Sequence, residues 1–242
     1  MSVRLDKALL DRGMTSSRSR AQYLVLSGVV FINGNPAKKM SQIVNLDDKI
    51  TILNDPLPWV SRGAVKLEHA IKFFKLDPLK GLALDVGAST GGFSQVLLYY
   101  GISCVYAIDV GKEQLHPILK NDRRIISYEG LNSKNLKSKD FPTFDYIVCD
   151  VSFISIKKAL EQPLLYGKKN CKLIALIKPQ YEIGFKKRNK KGIVKKSNLR
   201  KEACASVIAF LNSRGWSTLG LKEIPTFNGE GNIEFMVLAE KS

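Results

Sequence analysis

The sequence predicts an α/β fold: a parallel sheet with helices on both faces, preceded by a small α+β unit. Three observations predict it. From residue 81 onward, apolar runs of strand length alternate with helical segments, as in a chain of βαβ units. One such run passes into three glycines within six positions, "LDVGASTGGF" at 84 to 93, and glycines between a strand and a helix let a ligand approach the backbone. The first fifty-odd residues place two short helical segments before short strands, and the two prolines of "NDPLPWV" break regular structure after them.

These signals divide the chain into a first domain over 1–53, a linker over 54–60 and a second domain over 61–242. In "VRLDKALLDRGM", Val3, Leu5, Ala8 and Leu9 fall near one helical face and Gly13 ends the helix. "TSSRSRAQYLVLSG" offers Ser and Thr as caps for a second helix ending near Gly28. "VVFINGNPAKKM" reads as a strand, a turn at Asn33-Gly34 and a return strand, and "DDKITIL" closes the unit as another strand. Beyond the linker, "SRGAVKLEHAIKFF" is a helix. The sheet strands follow as "GLALDVG", "SCVYAIDV", "RIISYEG", "FDYIVCDV" and "CKLIALIKP". Glu234 interrupts a further apolar run, "NIEFMVLA".

In the opening motif, "GFSQVLLYYG" is helical and ends at Gly101, so Gly87, Gly91 and Gly92 lie in a strand-to-helix turn. The turn lacks the GxGxxG spacing of dinucleotide binders and the Lys-Ser/Thr of a phosphate loop. About twenty residues on, Asp109 ends the next strand, where a carboxylate can hold two ribose hydroxyls. Asp85 is suited to a cationic group near the turn. Together they fit a positively charged nucleoside such as S-adenosylmethionine. A glycine turn alone also occurs in α/β proteins without that ligand.

Asp150 ends a third apolar strand on the same edge. It reads either as a helix cap or as a site carboxylate, because a carboxylate ending an apolar strand needs partners. Lys178 ends the strongly apolar "LIALI" and precedes a proline. It and Glu234 either reach water or meet an oppositely charged partner.

Composition bounds the function. Thirty-eight Lys and Arg oppose 22 Asp and Glu, a net charge of +16, which favours polyanionic partners. No apolar run has the length of a membrane span, and "MSVRLDKALLDRG" has no signal-type stretch. Cys104, Cys149, Cys171 and Cys204 lack metal-ligand spacing and read as reduced thiols of a cytoplasmic protein. No metal and no stable membrane association are expected.

In order, "RLDKALLDRGMTSSRSRAQYLVLSGVVFINGNPAKK", "SRGAVKLEHA", "LDVGASTGGF", "CDVSFISI" and "IKPQYE" resemble the TlyA family, often called haemolysin A and related to the FtsJ (RrmJ) RNA ribose methyltransferases. The resemblance covers nearly the whole chain. It implies an S4 RNA-binding domain followed by a class I, Rossmann-like methyltransferase sheet. It implies S-adenosylmethionine as cofactor and ribosomal RNA, within ribosomal subunits, as substrate, methylated at the 2′-oxygen of cytidine.

The resemblance further implies a Lys-Asp-Lys-Glu catalytic set, matched by Lys66, Asp150, Lys178 and Glu234. Lys178 is expected to take the hydroxyl proton, Lys66 to lower its pKa, and the carboxylates to orient both lysines. The expected cofactor residues are Asp85, Gly87, Ala88, Ser89, Thr90, Gly91, Gly92, Phe93, Asp109, Val110 and Asp150. The expected RNA contacts are Arg4, Arg18, Arg20, Lys38, Lys39, Lys186, Lys187 and Arg188. The last three open a segment, 186–201, with nine basic residues and no acidic one, which could bind phosphates or serve as solvated loop. Two other functions compete: a membrane-acting cytolysin, disfavoured by the missing export signal and span, and a non-catalytic RNA-binding assembly factor, disfavoured by the complete catalytic set.

Overall fold

The structure, a computed structural model, describes residues 2–15, 18–53, 59–137, 141–184, 192–224 and 231–242, without the side chains of Ser19, Tyr23 and Leu26. The chain divides into two compact units, 1–62 and 63–242. Most of the expected linker lies outside the described residues.

In the first unit, β1 (Ser2–Arg4) leads into α1 (Leu5–Asp11), and α2 (Arg18–Leu26) follows. β2 (Val30–Ile32) and β3 (Asn35–Pro36) pair as a hairpin. Its turn residues Asn33 and Gly34 both take positive φ, 50° and 81°, as a tight two-residue turn requires. β4 (Ile43–Asn45) pairs with β1, and β5 (Ile50–Ile52) pairs with β2, both antiparallel. Val3 thus lies in a strand and not on the expected helical face. The helix begins at Leu5, because the carbonyls of Gln42 and Met40 accept the N–H groups of Leu5 and Asp6, at 2.7 and 3.0 Å. Leu5, Ala8, Leu9, Leu24, Val30 and Val44 are buried together as this unit's core.

The second unit opens with α3 (Arg62–Phe73) and then alternates: β6 (Leu82–Val86), α4 (Gly92–Tyr99), β7 (Cys104–Asp109), α5 (Pro117–Lys120), β8 (Ile125–Glu129) and β9 (Phe144–Cys149). It continues with α6 (Ile156–Leu160), β10 (Gly167–Ile177), α7 (Pro179–Glu182), α8 (Ser197–Ser213), β11 (Trp216–Ile224) and β12 (Glu234–Lys241). One seven-stranded sheet results, in the order β11-β12-β10-β9-β6-β7-β8. The run "LIALI" is what a strand buried on both faces demands; Leu173 to Ile177 are each at most 1% exposed.

The five strands from β10 across to β8 are parallel, but β12 is antiparallel to both β10 and β11. The sheet is therefore mixed, where the alternation predicted a parallel one. β11 shares the direction of β10 after the α8 crossover, and the chain then turns back into the slot between them. Glu234 opens β12 instead of interrupting it. Because β12 runs backwards, its first residue lies at the edge where β9 and β10 end; Phe235 pairs with Ile177. From central β6 the chain first builds outward through β7 and β8, then returns to place β9 on β6's other side. Such a reversal of strand order leaves a crevice at the carboxyl ends of the strands, since parallel crossovers are right-handed as a rule and send the helices of the two halves to opposite faces.

Candidate active site

The crevice is a cavity of about 450 Å³ at the carboxyl ends of β6, β7 and β9. Its lining includes Gly87, Ser89, Asp109, Val110, Gln114, Asn132, Asp150, Ser152 and Phe153. The glycine turn forms one wall by necessity. Gly87 has φ +84°, and a Cβ there would come within 2.8 Å of the Asp150 carbonyl. Any side chain would push β6 off β9. Gly91 has φ +89° and caps α4; a Cβ would strike Leu115 and Leu119. Ser89, also left-handed at φ +49°, donates its N–H to Asp109 Oδ2 at 2.9 Å. The N–H of Gly111 reaches Asp109 Oδ1 at 2.7 Å. Asp109 thus joins the turn to the loop after β7, and each of its oxygens retains capacity for another donor.

Of the residues expected at the cofactor, Gly87, Ser89, Asp109, Val110 and Asp150 line the cavity. Ala88, Thr90, Gly91, Gly92 and Phe93 shape the turn and the start of α4 without lining it. Asp85 is placed differently. It is 0% exposed, away from the lining, and accepts a 2.7 Å hydrogen bond from Ser94 Oγ of α4.

Burial pushes the Asp85 carboxyl up to about 7; the Ser94 hydrogen bond opposes this, and the charges of Asp150 and Asp109 add to it. Its folded pKa thus lies above the unfolded 3.8. Between the two the unfolded chain has shed a proton that the folded protein keeps, so this group costs stability as pH rises through the window. Melting temperature should fall more steeply between about pH 4 and pH 7 for the wild type than for Asp85→Asn. Parallel melting profiles would disprove the buried proton.

Four charged side chains meet beside the cavity. Lys178, 9% exposed, sits 2.6 Å from Asp150 Oδ1 and donates to Ser152 Oγ at 2.8 Å. Lys66, from α3, pairs with Glu234 of β12 at 2.6 Å. Burial pulls the Lys178 pKa down, but the charge and hydrogen bond of Asp150 and the charge of Glu234 outweigh it, and the net shift is upward. The four residues expected as a catalytic set are thus brought together as two ion pairs.

The loop from Asp150 to Ile156 is fastened to α7. Glu182 accepts from Ser155 Oγ and from the Ile156 N–H, each at 2.7 Å. Just before these ties Phe153 stands 90% exposed at φ +67°, an unusual conformation for a bulky residue. Its ring lies 5.6 Å from that of Tyr181. Gln114, Ser152, Phe153 and Glu182 were not read from the sequence as site residues. A serine and phenylalanine two and three positions after a strand-ending Asp in "CDVSF" were the available signal.

In the first unit Arg18, Lys38 and Lys39 are exposed, and Arg20 is half-buried. Arg4 is engaged by Asp6 at 3.1 Å. Arg12 is structural: its guanidinium donates to the carbonyls of Asn45, Leu46 and Asp48. Lys186, Lys187 and Arg188 lie outside the described residues. Among the described residues no cluster of His, Cys, Asp or Glu could hold a metal, and no helix is long and apolar enough to cross a membrane.

Residues 59–241 match the family model of FtsJ-like methyltransferases, and residues 3–50 match the S4 domain. The 16S/23S rRNA (cytidine-2'-O)-methyltransferase TlyA of Mycobacterium tuberculosis is 35% identical over 237 residues, 97% of this chain and 88% of that protein. A solved Streptococcus thermophilus chain described as a hemolysin is 34% identical, with a TM-score of 0.79 over 100% of this chain and 89% of that one. A Listeria monocytogenes chain described as an S-adenosylmethionine-dependent methyltransferase shares the fold at 12% identity, with a TM-score of 0.57 over 74% of this chain and 99% of that one. With a mixed seven-stranded sheet, a glycine turn and paired charges at one edge, and a family match over most of its length, the chain belongs to the FtsJ-like methyltransferase family and carries an S4 domain ahead of that fold.

Proposed function

We propose that this protein is a cytoplasmic methyltransferase that uses S-adenosylmethionine to methylate a cytidine ribose 2′-oxygen in ribosomal RNA. The observation that carries this reading is the Lys178–Asp150 and Lys66–Glu234 quartet standing beside a glycine-walled cavity of about 450 Å³. The residues fit the cofactor. The volume is in the range of small-molecule sites, Gly87 leaves open the space a Cβ would fill, and Asp109 has acceptor capacity left for ribose hydroxyls. Asp109 would hold the ribose, with Gly87 and Ser89 as backbone wall. Asp150 faces the cavity together with Asp109, whereas Asp85 does not. When bound, S-adenosylmethionine supplies an electrophilic methyl group on a sulfonium.

The protein's side chains must then hold a hydroxyl in line and remove its proton. In the free protein Lys178 carries its proton, held by Asp150 and Glu234. It serves as base from its neutral form, and Lys66 supplies a second positive charge toward the oxygen that loses the proton. Phe153 offers an exposed face on which a nucleobase can stack. Phe153→Ala should weaken RNA binding about tenfold, a loss within the range of one stacked base, and by more than it weakens cofactor binding, since Phe153 also lines the cavity. Gel-shift and calorimetric titrations check the two halves.

The first unit supplies RNA affinity through exposed Arg18, Lys38 and Lys39. The basic segment at 186–191 contributes phosphate contacts, so its deletion should flatten the salt dependence of RNA binding. The decisive experiment is labelled-methyl transfer to ribosomal subunits from a host lacking this protein, followed by mapping of the modified nucleotide. Absence of label, or label on a base instead of a ribose, would overturn the reading.

A further inference from the structure

Beside Asp109, a second carboxylate accepts hydrogen bonds from backbone amides. Glu129 ends β8 in register with Asp109. Its Oε2 accepts the N–H of Glu113 at 2.7 Å, and its Oε1 those of Gln114 at 2.8 Å and Leu115 at 3.1 Å. Three consecutive amides converging on one carboxylate fix the course of the loop after β7. They also hold Glu113 at φ +54°, a conformation that non-glycine residues adopt only when their surroundings impose it.

The rest of the loop is tied toward the glycine turn. The N–H of His116 reaches the Thr90 carbonyl at 3.2 Å, and that of Gly130 reaches the Gly111 carbonyl at 2.9 Å. Leu115 and Leu119 press on Gly91. What the loop carries to the cavity is Gln114. Its Nε2 lies where a Cβ on Gly111 would be, and the same Cβ would stand 3.1 Å from Asp109 Oδ1. The amide therefore lies beside the carboxylate assigned to the ribose, in a wall that also contains Leu131, Asn132 and Ser133.

We propose that Gln114 contacts the nucleoside end of the cofactor and that Glu129 is the positioning residue that holds Gln114 there through the loop backbone. The inference rests on the cofactor reading above. Glu129 stays ionised in this role, since the hydrogen bonds from Leu115 and Glu113 lead in lowering its pKa, against a smaller opposing effect of burial. Removing its carboxylate frees three amides and the loop, not the glycine turn, which Asp109 still ties.

The test is calorimetric titration of the full chain with S-adenosylhomocysteine, for the wild type, Gln114→Ala, Glu129→Ala, Glu129→Gln and the double variant Gln114→Ala/Glu129→Ala. Gln114→Ala and Glu129→Ala should each weaken binding about tenfold. Glu129→Gln, which keeps one acceptor oxygen, should recover part of the loss. In the Gln114→Ala background, Glu129→Ala should add almost nothing, because its effect passes through that side chain. The melting temperature of Gln114→Ala should match that of the wild type, which general unfolding would not allow.

Gln114→Ala with wild-type affinity overturns the inference by itself, even where a Glu129 variant fails to fold. Full additivity in the double variant overturns the role of Glu129. A wild-type protein that does not bind the nucleoside removes the cofactor reading and this inference together, so the two failures are distinguishable.

Discussion

Lys178→Ala is expected to slow methyl transfer about a thousandfold, in the middle of the range for loss of a positioned base. Cofactor affinity should scarcely move, since Lys178 does not line the cavity. The lysine's local chemistry makes the loss specific. It is nearly buried, 2.6 Å from Asp150 and bonded to Ser152, so no solvent lysine can take its place. Because its pKa is shifted upward, the neutral form is scarce at pH 7 and grows about tenfold per pH unit. The wild-type kcat/KM for RNA should therefore climb with pH across the neutral range. Lys178→Arg keeps the positive charge beside Asp150 but does not give up its proton. It should be nearly as slow as Lys178→Ala and should lose the pH slope. An arginine variant with wild-type turnover would show that charge, not proton transfer, is what this position supplies.

Asp109→Ala is expected to weaken S-adenosylhomocysteine binding about a hundredfold, the size of two lost charge-assisted hydrogen bonds. The change acts twice. It removes the acceptors available to ribose hydroxyls, and it leaves the N–H groups of Ser89 and Gly111 without the oxygens that now join the turn to the loop after β7. Calorimetry measures the first effect; a lower melting temperature of the unliganded protein reports the second. Unchanged nucleoside affinity would show that the ribose lies elsewhere.

The strand-ending charges were legible because a charged residue that stops an apolar run stands out in composition. Asp109, Asp150 and Lys178 are found at the sheet edge where that reading put them. Asp85 looked equivalent, but it lies within β6, two positions before Gly87, and its side chain is covered by Ser94 of α4. Strand position alone could not separate a carboxylate facing the cavity from one beneath a helix. The reversed direction of β12 was hidden for a related reason: a buried apolar run reads the same whichever way its neighbours point. Lys66 is one of two lysines on an amphipathic helix, and only family resemblance marked it. Gln114, Glu129 and Glu182 had no local signal. They act on backbone amides or on the cavity across loop contacts, which leave no periodicity in the sequence.

The reversed last strand also has a temporal meaning. Lys66 and Glu234 are 168 positions apart, whereas every residue lining the cavity falls between Val86 and Ala159. During synthesis, which lets earlier segments fold first, a pocket able to hold the nucleoside can form well before the final carboxylate leaves the ribosome. On the proposed reading, competence to transfer methyl then waits for β12 to take its place between β10 and β11, so a nascent chain lacking Glu234 would bind the cofactor before it could act as an enzyme.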